Sequence, residues 1–493
     1  MSYLGIDIGT SSIKGMVVNE KGNVLTFNKF LHDYVSKHEG WIELDPDLIF
    51  NNVKKIINKL SGEVKSIDPI KVISFSCLGT AFVPIDRNGI PLYNAISALD
   101  VRSRNKLNYF DKKGIDNYEI YQITGQPGKV ISLLHNIIWL KENHPDKFIK
   151  IYKFVSMKDY CIFKLSGELI TDFTQASRTM LYDFRCRNWS ELIFSLLEID
   201  METFPKIISS YEIISDSLNK KICEELNLNH DVKLTAGAHD TECCILGANI
   251  NSYEDMGITV GTYEEPMFVC NEFNPSLSNY KNNIIIEEHI LKNKYINYSV
   301  FYTGLILEWI RKIFFSDIDN KVIYGFDDIT CRLDNNANEI VTVPYLKGTG
   351  APKFDDNQKA VIFNITNDTN KYDIVKSFIE STDFCLKRII KSFGHHKMRN
   401  IFVIGGGSKS DFLMQSKANI LNSSLKILNI EECGAYGATM VACYADNKFA
   451  NFKELFKTFK NSVCKIYEPQ IEFKRQYTNK YKFFERFLEQ FYS

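Results

Sequence analysis

The sequence has almost no net charge: 59 lysines and arginines against 60 aspartates and glutamates leave a formal −1 over 493 residues. Without a surplus of positive charge there is no global field to hold nucleic acid or an anionic membrane, although a local basic patch is compatible with this balance. Long apolar runs are missing as well. None reaches the roughly 18 residues that a membrane span requires. Met1 to Thr10 moves straight into a strand-like segment, with neither a charged leader nor a long apolar core, so no secretory signal is expected. The 12 cysteines include no C-x-x-C pair, and the adjacent Cys243 and Cys244 suit neither an ordinary disulfide nor common zinc spacing. Reduced thiols in a cytoplasmic protein are the expectation. The G-x-x-x-x-G-K phosphate loop is absent, as is any low-complexity tract or evident linker.

What is present is the composition of an ordinary folded protein, 45% hydrophobic and 24% charged. The length exceeds one compact core and suits two large domains, expected at 1–248 and 249–493. The opening reads as a β-meander, with strands at Tyr3–Ile8 and Ile13–Val18, turns at Gly9–Ser12 and Glu20–Asn23, and a third strand after them. Asp45 and Pro46 are N-cap and first-turn chemistry for a helix with Leu48, Ile49, Val53, Ile56, Ile57 and Leu60 on its apolar face. Val72–Phe75 and Lys233–Ala236 read as strands, the latter running into a turn at Gly237-Ala238-His239-Asp240 and a helix from Thr241. Met256–Thr262 echoes Leu4–Thr10, so a strand ending in Gly-Thr occurs in each half and points to two related domains facing one cleft. Ile401–Ile404 and Leu425–Leu428 are further strands, Gly434–Ala445 is a small-residue helix suited to close packing, and an amphipathic helix closes the chain. The class is α/β.

Four segments carry chemistry. In Asp7-Ile8-Gly9-Thr10-Ser11-Ser12, a glycine turn lets backbone N–H groups approach phosphate oxygens, and the hydroxyls of Thr10, Ser11 and Ser12 add donors. Asp7 at the strand end can hold Mg²⁺, and Lys14 can supply charge to a transferring phosphoryl group. The same residues also read as a polar hairpin turn. Asp240 stands at a strand-to-helix junction, where a carboxylate points out of the sheet edge and can accept a proton from an attacking hydroxyl; an N-cap alone is the alternative. His239 reads as a packed or hydrogen-bonding neighbour. Gly261-Thr262 and Gly405-Gly406-Gly407-Ser408 follow apolar strands and can bring amides to a nucleotide. Asp100 and Arg102, two apart on an extended segment, suit a polyhydroxylated substrate, although from two residues alone a surface or interdomain ion pair is the better reading.

Taken together and in order, these segments resemble the FGGY carbohydrate kinase family, its xylulokinase-like members especially, over nearly the whole chain. Gly5–Ser12 is similar to the family's first phosphate motif. Gly40–Pro46, Lys158-Asp159-Tyr160 with Leu165–Glu168, and Thr171-Asp172 match further stretches. Gly237–Asp240 with Leu246-Gly247-Ala248 resembles the segment bearing the catalytic aspartate. Pro344–Gly348 with Pro352, and Gly405–Ser408 with Gln415, Ala418, Glu432, Gly434 and Gly437-Ala438, resemble the proline–glycine loop and the C-terminal signature. The resemblance implies two actin-like (ribonuclease H-like) ATPase domains flanking a deep cleft, with ATP mainly on the second and sugar mainly on the first. It implies an ATP-dependent, Mg²⁺-requiring kinase with Asp240 as base and Asp7 at the metal. Gly9, Thr10, Ser11, Ser12, Lys14, Gly261, Thr262 and Gly405 to Ser408 would attend the nucleotide. Gly79, Thr80, Asp100, Arg102 and Asp240 would hold the sugar. A homodimer is the assembly frequent in the family.

Departures lie mostly on the sugar side. Leu78-Gly79-Thr80-Ala81 stands where xylulokinases commonly carry Gln-Met-His-Gly, Ala98 where a tryptophan is usual, and Tyr263 where a serine is frequent. Lys359-Ala360 replaces a common Arg-Gly, and Asn419 a common aspartate. The expectation is a kinase whose pocket differs from that of a typical xylulokinase. A pentulose such as D-xylulose leads, with a hexulose, a glycerol- or erythritol-like polyol or an aldonate open beside it. A non-sugar actin-like ATPase or a sugar sensor is the reading from another class.

Overall fold

The computed structural model describes residues 1–492 except 37, 130, 216–217, 262, 317–332, 334–337, 347, 356, 395–397, 431 and 461. Two seven-stranded sheets organise it. The first begins with the expected meander, Ser2–Ile8, Ser12–Asn19 and Val24–Leu31, paired antiparallel. On its other side Ser2–Ile8 runs parallel to Ile70–Cys77, which in turn carries Lys233–Thr235 and then Ala238–His239. The second sheet repeats this plan. Asp255–Val260 pairs antiparallel with Glu264–Cys270 and parallel with Asn400–Ile404, and Leu425–Leu428 follows in parallel. The strands ending at Ile8 and Val260 therefore hold equivalent places, which is the physical content of the Gly-Thr echo.

The first sheet is covered on both faces because its strands alternate. Leu4, Ile6 and Ile8 pack with Ile49, Val53, Ile56, Ile57 and Leu60 of the helix Pro46–Val64. Asp45 caps that helix by accepting from the amides of Asp47 and Leu48, as its sequence requires. Leu48, placed on the apolar face by spacing, is 42% exposed, because it lies in the first turn beyond the edge of the sheet contact. On the opposite face Tyr3 and Val18 meet Ala435, Ala438 and Ala442 of the helix Cys433–Ala445. Contact there is backbone to backbone: a Cβ at Gly5 would sit 2.2 Å from the Ala435 carbonyl oxygen, and one at Gly437 would sit 1.9 Å from that of Cys243. The small-residue helix thus packs closely, as its composition predicts, but against the first sheet and the helix Asp240–Gly247. The cores consequently do not divide cleanly at residue 248.

The second sheet's core is built from the helices Thr303–Phe314, Lys371–Ser392, Asp411–Leu421 and the amphipathic Lys474–Phe491. A third cluster, from Phe82 to Phe204, lies in the excursion between Ile70–Cys77 and Lys233–Thr235. The described cysteines are free thiols. Among the described residues no helix is long and apolar enough to cross a membrane.

Candidate active site

Four strand ends, two from each sheet, converge on the site. Asp7 and Ala238 both face Ser76 across neighbouring parallel pairings. Strands flanking a common strand lie about 10 Å apart, so Asp7 and Asp240, two residues beyond Ala238, open onto one edge. The carboxyl ends of Asp255–Val260 and Asn400–Ile404 likewise set Gly261 beside Gly405–Ser408. Ligands of open α/β sheets bind outside such ends.

The first turn is closed by the Gly9 amide donating to the Ser12 carbonyl at 3.0 Å, leaving Thr10 and Ser11 exposed at its tip. Asp7 Oδ1 accepts from the Ser76 hydroxyl at 2.7 Å. Lys14 Nζ lies 3.7 Å from Asp7 Oδ2 and 2.6 Å from Glu432 Oε2. Burial raises the Asp7 pKa, with Lys14 opposing. Burial alone would lower that of Lys14, but Asp7 and Glu432 outweigh it and Lys14 is held charged. Gly405, at φ +96°, and Gly407 pass so close to Val260 that a Cβ would fall 2.7 Å from its carbonyl oxygen or 2.3 Å from its Cγ1. The glycines of this segment are demanded by that approach. Thr262 lies outside the described residues.

Asp240 opens the helix Asp240–Gly247. Its Oδ1 accepts from the Thr241 amide at 2.9 Å and faces His239 Nε2 at 2.9 Å, while Oδ2 has no protein partner among the described residues. The side chain is 39% exposed. A buried network holds this junction. Lys158 Nζ donates to Asp159 Oδ1 at 2.7 Å and to the Ala236 carbonyl at 3.0 Å, and lies 3.0 Å from Asp172 Oδ1. Asp172 Oδ2 accepts from the Thr174 and Ser210 hydroxyls, and Thr174 Oγ1 accepts from the His239 amide at 2.8 Å. The Lys158-Asp159 and Thr171-Asp172 stretches thus support the base segment from behind.

The sugar-side expectations fare unevenly. Gly79 does adjoin the site: a Cβ there would meet His239 Nε2 at 2.5 Å and Arg178 Cγ at 2.8 Å. Thr80 does not present its hydroxyl to the crevice; it is 1% exposed and lines a small cavity with Phe82, Tyr93 and Asn136. The substrate role of Asp100 and Arg102 is corrected as well, since both side chains are 0% exposed. Arg102 donates to both Asp100 oxygens, at 2.9 and 2.7 Å, and to Glu43 Oε1 at 2.7 Å, while stacking 3.9 Å over the Trp41 ring. Every strong donor direction of the guanidinium is taken inside the fold, so the pair is internal.

Several residues at the site were not singled out for it in the sequence. Arg178 donates from Nη1 to Gln126 Oε1 at 3.0 Å, and its Nε lies 3.4 Å from Glu287 Oε1. Glu432, placed by the family signature, proves to be the anion facing Lys14. Glu265 is the second residue of the strand Glu264–Cys270, and burial, then the Asp240 charge, pushes its carboxyl up to about 7. At acid pH below its ordinary value of 4.5 this group is neutral folded or unfolded. As pH rises from there to about 7 the unfolded chain gives up the proton and the folded one keeps it, so stability falls; above that the full cost is present. Glu265→Gln is therefore expected to raise Tm at pH 8 and to change it little at pH 4, as thermal melts at the two pH values would read. An equal shift at both would contradict this.

The two-sheet architecture is the actin-like ATPase fold in its two-domain carbohydrate kinase form. It superposes on the ligand-bound xylulose kinase of Lactobacillus acidophilus with a TM-score of 0.91, at 24% identity, over 100% of this chain and 98% of that one. The description "FGGY family of carbohydrate kinases" fits residues 2–247 as its N-terminal domain and 279–445 as its C-terminal domain, and the chain belongs to that family. It is a carbohydrate kinase, a phosphotransferase with an alcohol group as acceptor. Sequence relatives include a xylulose kinase of Staphylococcus xylosus, 27% identical over 473 residues (95% of this chain, 96% of the relative). A gluconokinase of Bacillus licheniformis is 24% identical over 459 residues, 91% of this chain and 88% of its own. The non-sugar ATPase reading falls with this membership.

Proposed function

We propose that the chain transfers the γ-phosphoryl group of ATP to a hydroxyl of a ketose, a pentulose such as D-xylulose first among them, with Asp240 as general base. The observation that carries this is the asymmetry of the Asp240 carboxylate: Oδ1 is pinned by the Thr241 amide and His239, while Oδ2 is left open in the crevice that Asp7 shares. An acceptor hydroxyl donating to Oδ2 gives up its proton there as its oxygen attacks the γ-phosphorus. The turn Gly9–Ser12 and the Gly261 and Gly405–Ser408 segments offer backbone amides to the phosphates and nucleotide, and Lys14 a fixed positive charge. Asp7, a carboxylate near the strand end with Lys14 Nζ 3.7 Å from its Oδ2, would hold Mg²⁺, a hard cation that takes oxygen ligands. When bound, the ion offsets charge on the phosphates. Approach of the two sheets' edges excludes water and limits wasteful hydrolysis of ATP. Arg178 and Gly79, beside His239, shape the acceptor side.

The pentulose assignment rests on the xylulose kinases among the relatives, and the departures at Leu78–Ala81 and Tyr263 bear on it directly. ADP release measured with D-xylulose, a hexulose, glycerol, erythritol and gluconate tests it. The expected result is the largest stimulation with D-xylulose. A larger one with glycerol or gluconate would overturn the acceptor, and stimulation by none would count against the transfer itself.

A further inference from the structure

His239 is enclosed by carboxylates from two elements. Its Nε2 lies 2.9 Å from Asp240 Oδ1, and its Nδ1 lies 2.8 Å from Glu242 Oε2 and 3.0 Å from Glu287 Oε2. Asp240 and Glu242 come from the helix that His239 precedes. Glu287 comes from Ile285–Glu288 in the second sheet, where its Oε1 also accepts from the Tyr298 hydroxyl at 2.6 Å and faces Arg178. The histidine is 3% exposed and Glu242 and Glu287 are 0% exposed.

Two arrangements fit such a cluster. One is a cation held by His239, Glu242 and Glu287, whose ligand atoms all lie within 4.8 Å of one another. The other is an imidazolium bridging carboxylates. The ordinary hydrogen bond between Nδ1 and Glu242 Oε2, at 2.8 Å, favours the second. Burial would lower the His239 pKa, but Glu242, Glu287 and Asp240 together raise it well above its ordinary value. Burial pushes Glu242 up, towards its neutral form. For Glu287 burial is outweighed by His239 and Arg178, which hold it ionised.

We propose that His239 is the positioning residue of the reaction: its Nε2–H faces Asp240 Oδ1 and fixes it, turning Oδ2 towards the acceptor, and its Nδ1–H donates to Glu242, with the Glu287 carboxylate of the second sheet 3.0 Å away as a charge partner. The inference deepens the assignment of Asp240 as base and rests on it. It explains why Gly79 stands beside the histidine, since any side chain there would collide with Nε2. It also makes the base answer to the second domain, because Glu287 reaches His239 from the opposite sheet. A misplacement of about 1 Å at a reacting group can cost 10²-fold in rate, so this hydrogen bond is worth holding rigidly.

Two substitutions separate the two halves of the ring. His239→Gln puts an amide nitrogen where Nε2 was and keeps the Asp240 contact while losing the glutamates. His239→Asn puts one where Nδ1 was, keeping the glutamates and losing Asp240. With saturating ATP and the best acceptor of the panel, His239→Asn is expected to lose at least about tenfold in kcat, with KM for ATP nearly unchanged. His239→Gln should keep most of kcat despite the lost contacts with the glutamates. Equal activity of the two, or the reverse order, would overturn the proposal. So would a stoichiometric metal in the purified protein that His239→Asn removes. An inactive Asp240→Asn beside a fully active His239→Asn would sink the positioning role alone, whereas an active Asp240→Asn would sink the base assignment beneath it.

Discussion

Asp240→Asn is expected to lower kcat by at least about 10²-fold, the low end of what general-base catalysis supplies. The substitution is close to isosteric. An amide oxygen at the Oδ1 position keeps the Thr241 amide and the His239 Nε2 contacts, both at 2.9 Å, so the junction should hold its shape. What changes is the other atom. At the Oδ2 position, which has no protein partner among the described residues, an NH₂ group replaces an oxygen that could accept a proton. The acceptor hydroxyl then meets a donor where it needs a base. Nucleotide affinity should stay close to the parental value, because the phosphate turn, Lys14 and the Gly405–Ser408 segment are untouched. Steady-state turnover together with calorimetric titration of an ATP analogue reads both quantities. Near-parental turnover in a folded variant would remove Asp240 from the mechanism.

The largest loss of stability is expected at Lys158. Its ammonium has 0% exposed surface and serves Asp159, Asp172 and the Ala236 carbonyl at once. Lys158→Met keeps most of the apolar stem but strands two buried carboxylates. Breaking a buried ion pair by removing one partner costs about 3–5 kcal/mol. At roughly 1 °C per kcal/mol in a chain of this size, a fall in Tm of about 3–5 °C follows. Adding Asp172→Asn to Lys158→Met should recover part of that loss, since it removes one stranded charge while an amide oxygen at the Oδ2 position still accepts from the Thr174 and Ser210 hydroxyls. Melting curves that leave Lys158→Met within a degree or two of the parent would contradict the network's role. Because Ala236 and Thr174 lead directly to His239, the single variant should also lose activity ahead of global unfolding on warming.

These two residues illustrate what a sequence makes readable. Asp7 and Asp240 stood out because one lies near the end of a strand and the other at a strand-to-helix junction, each within three residues of a glycine, and strand ends of α/β sheets open outwards. The paired strands ending at Ile8 and Val260 were legible as a repeat because the same steric need, a turn directly after the strand, selects the same residues twice. The helix Cys433–Ala445 showed its close packing in its composition. The partner it packs against, the first sheet rather than the second, lies hundreds of residues away in the chain and left no local trace. Asp100 and Arg102 were readable as a pair, since a spacing of two brings them together on one side. Which side was decided by Glu43, Trp41 and Trp139, whose convergence no local pattern records. His239 was legible as a packed or hydrogen-bonding neighbour of Asp240, yet the approach of Glu287 to its ring joins two sheets and could be seen only once they were placed.

The central claim is that one crevice brings the acceptor to Asp240 and the phosphates to the Asp7–Ser12 turn. A crystal structure with a non-hydrolysable ATP analogue and the acceptor chosen by the panel tests it most directly. The account predicts an acceptor hydroxyl within about 3 Å of Asp240 Oδ2, in line with a γ-phosphorus seated over that turn. An acceptor bound away from Oδ2, or a nucleotide whose phosphates lie clear of Asp7, would contradict it.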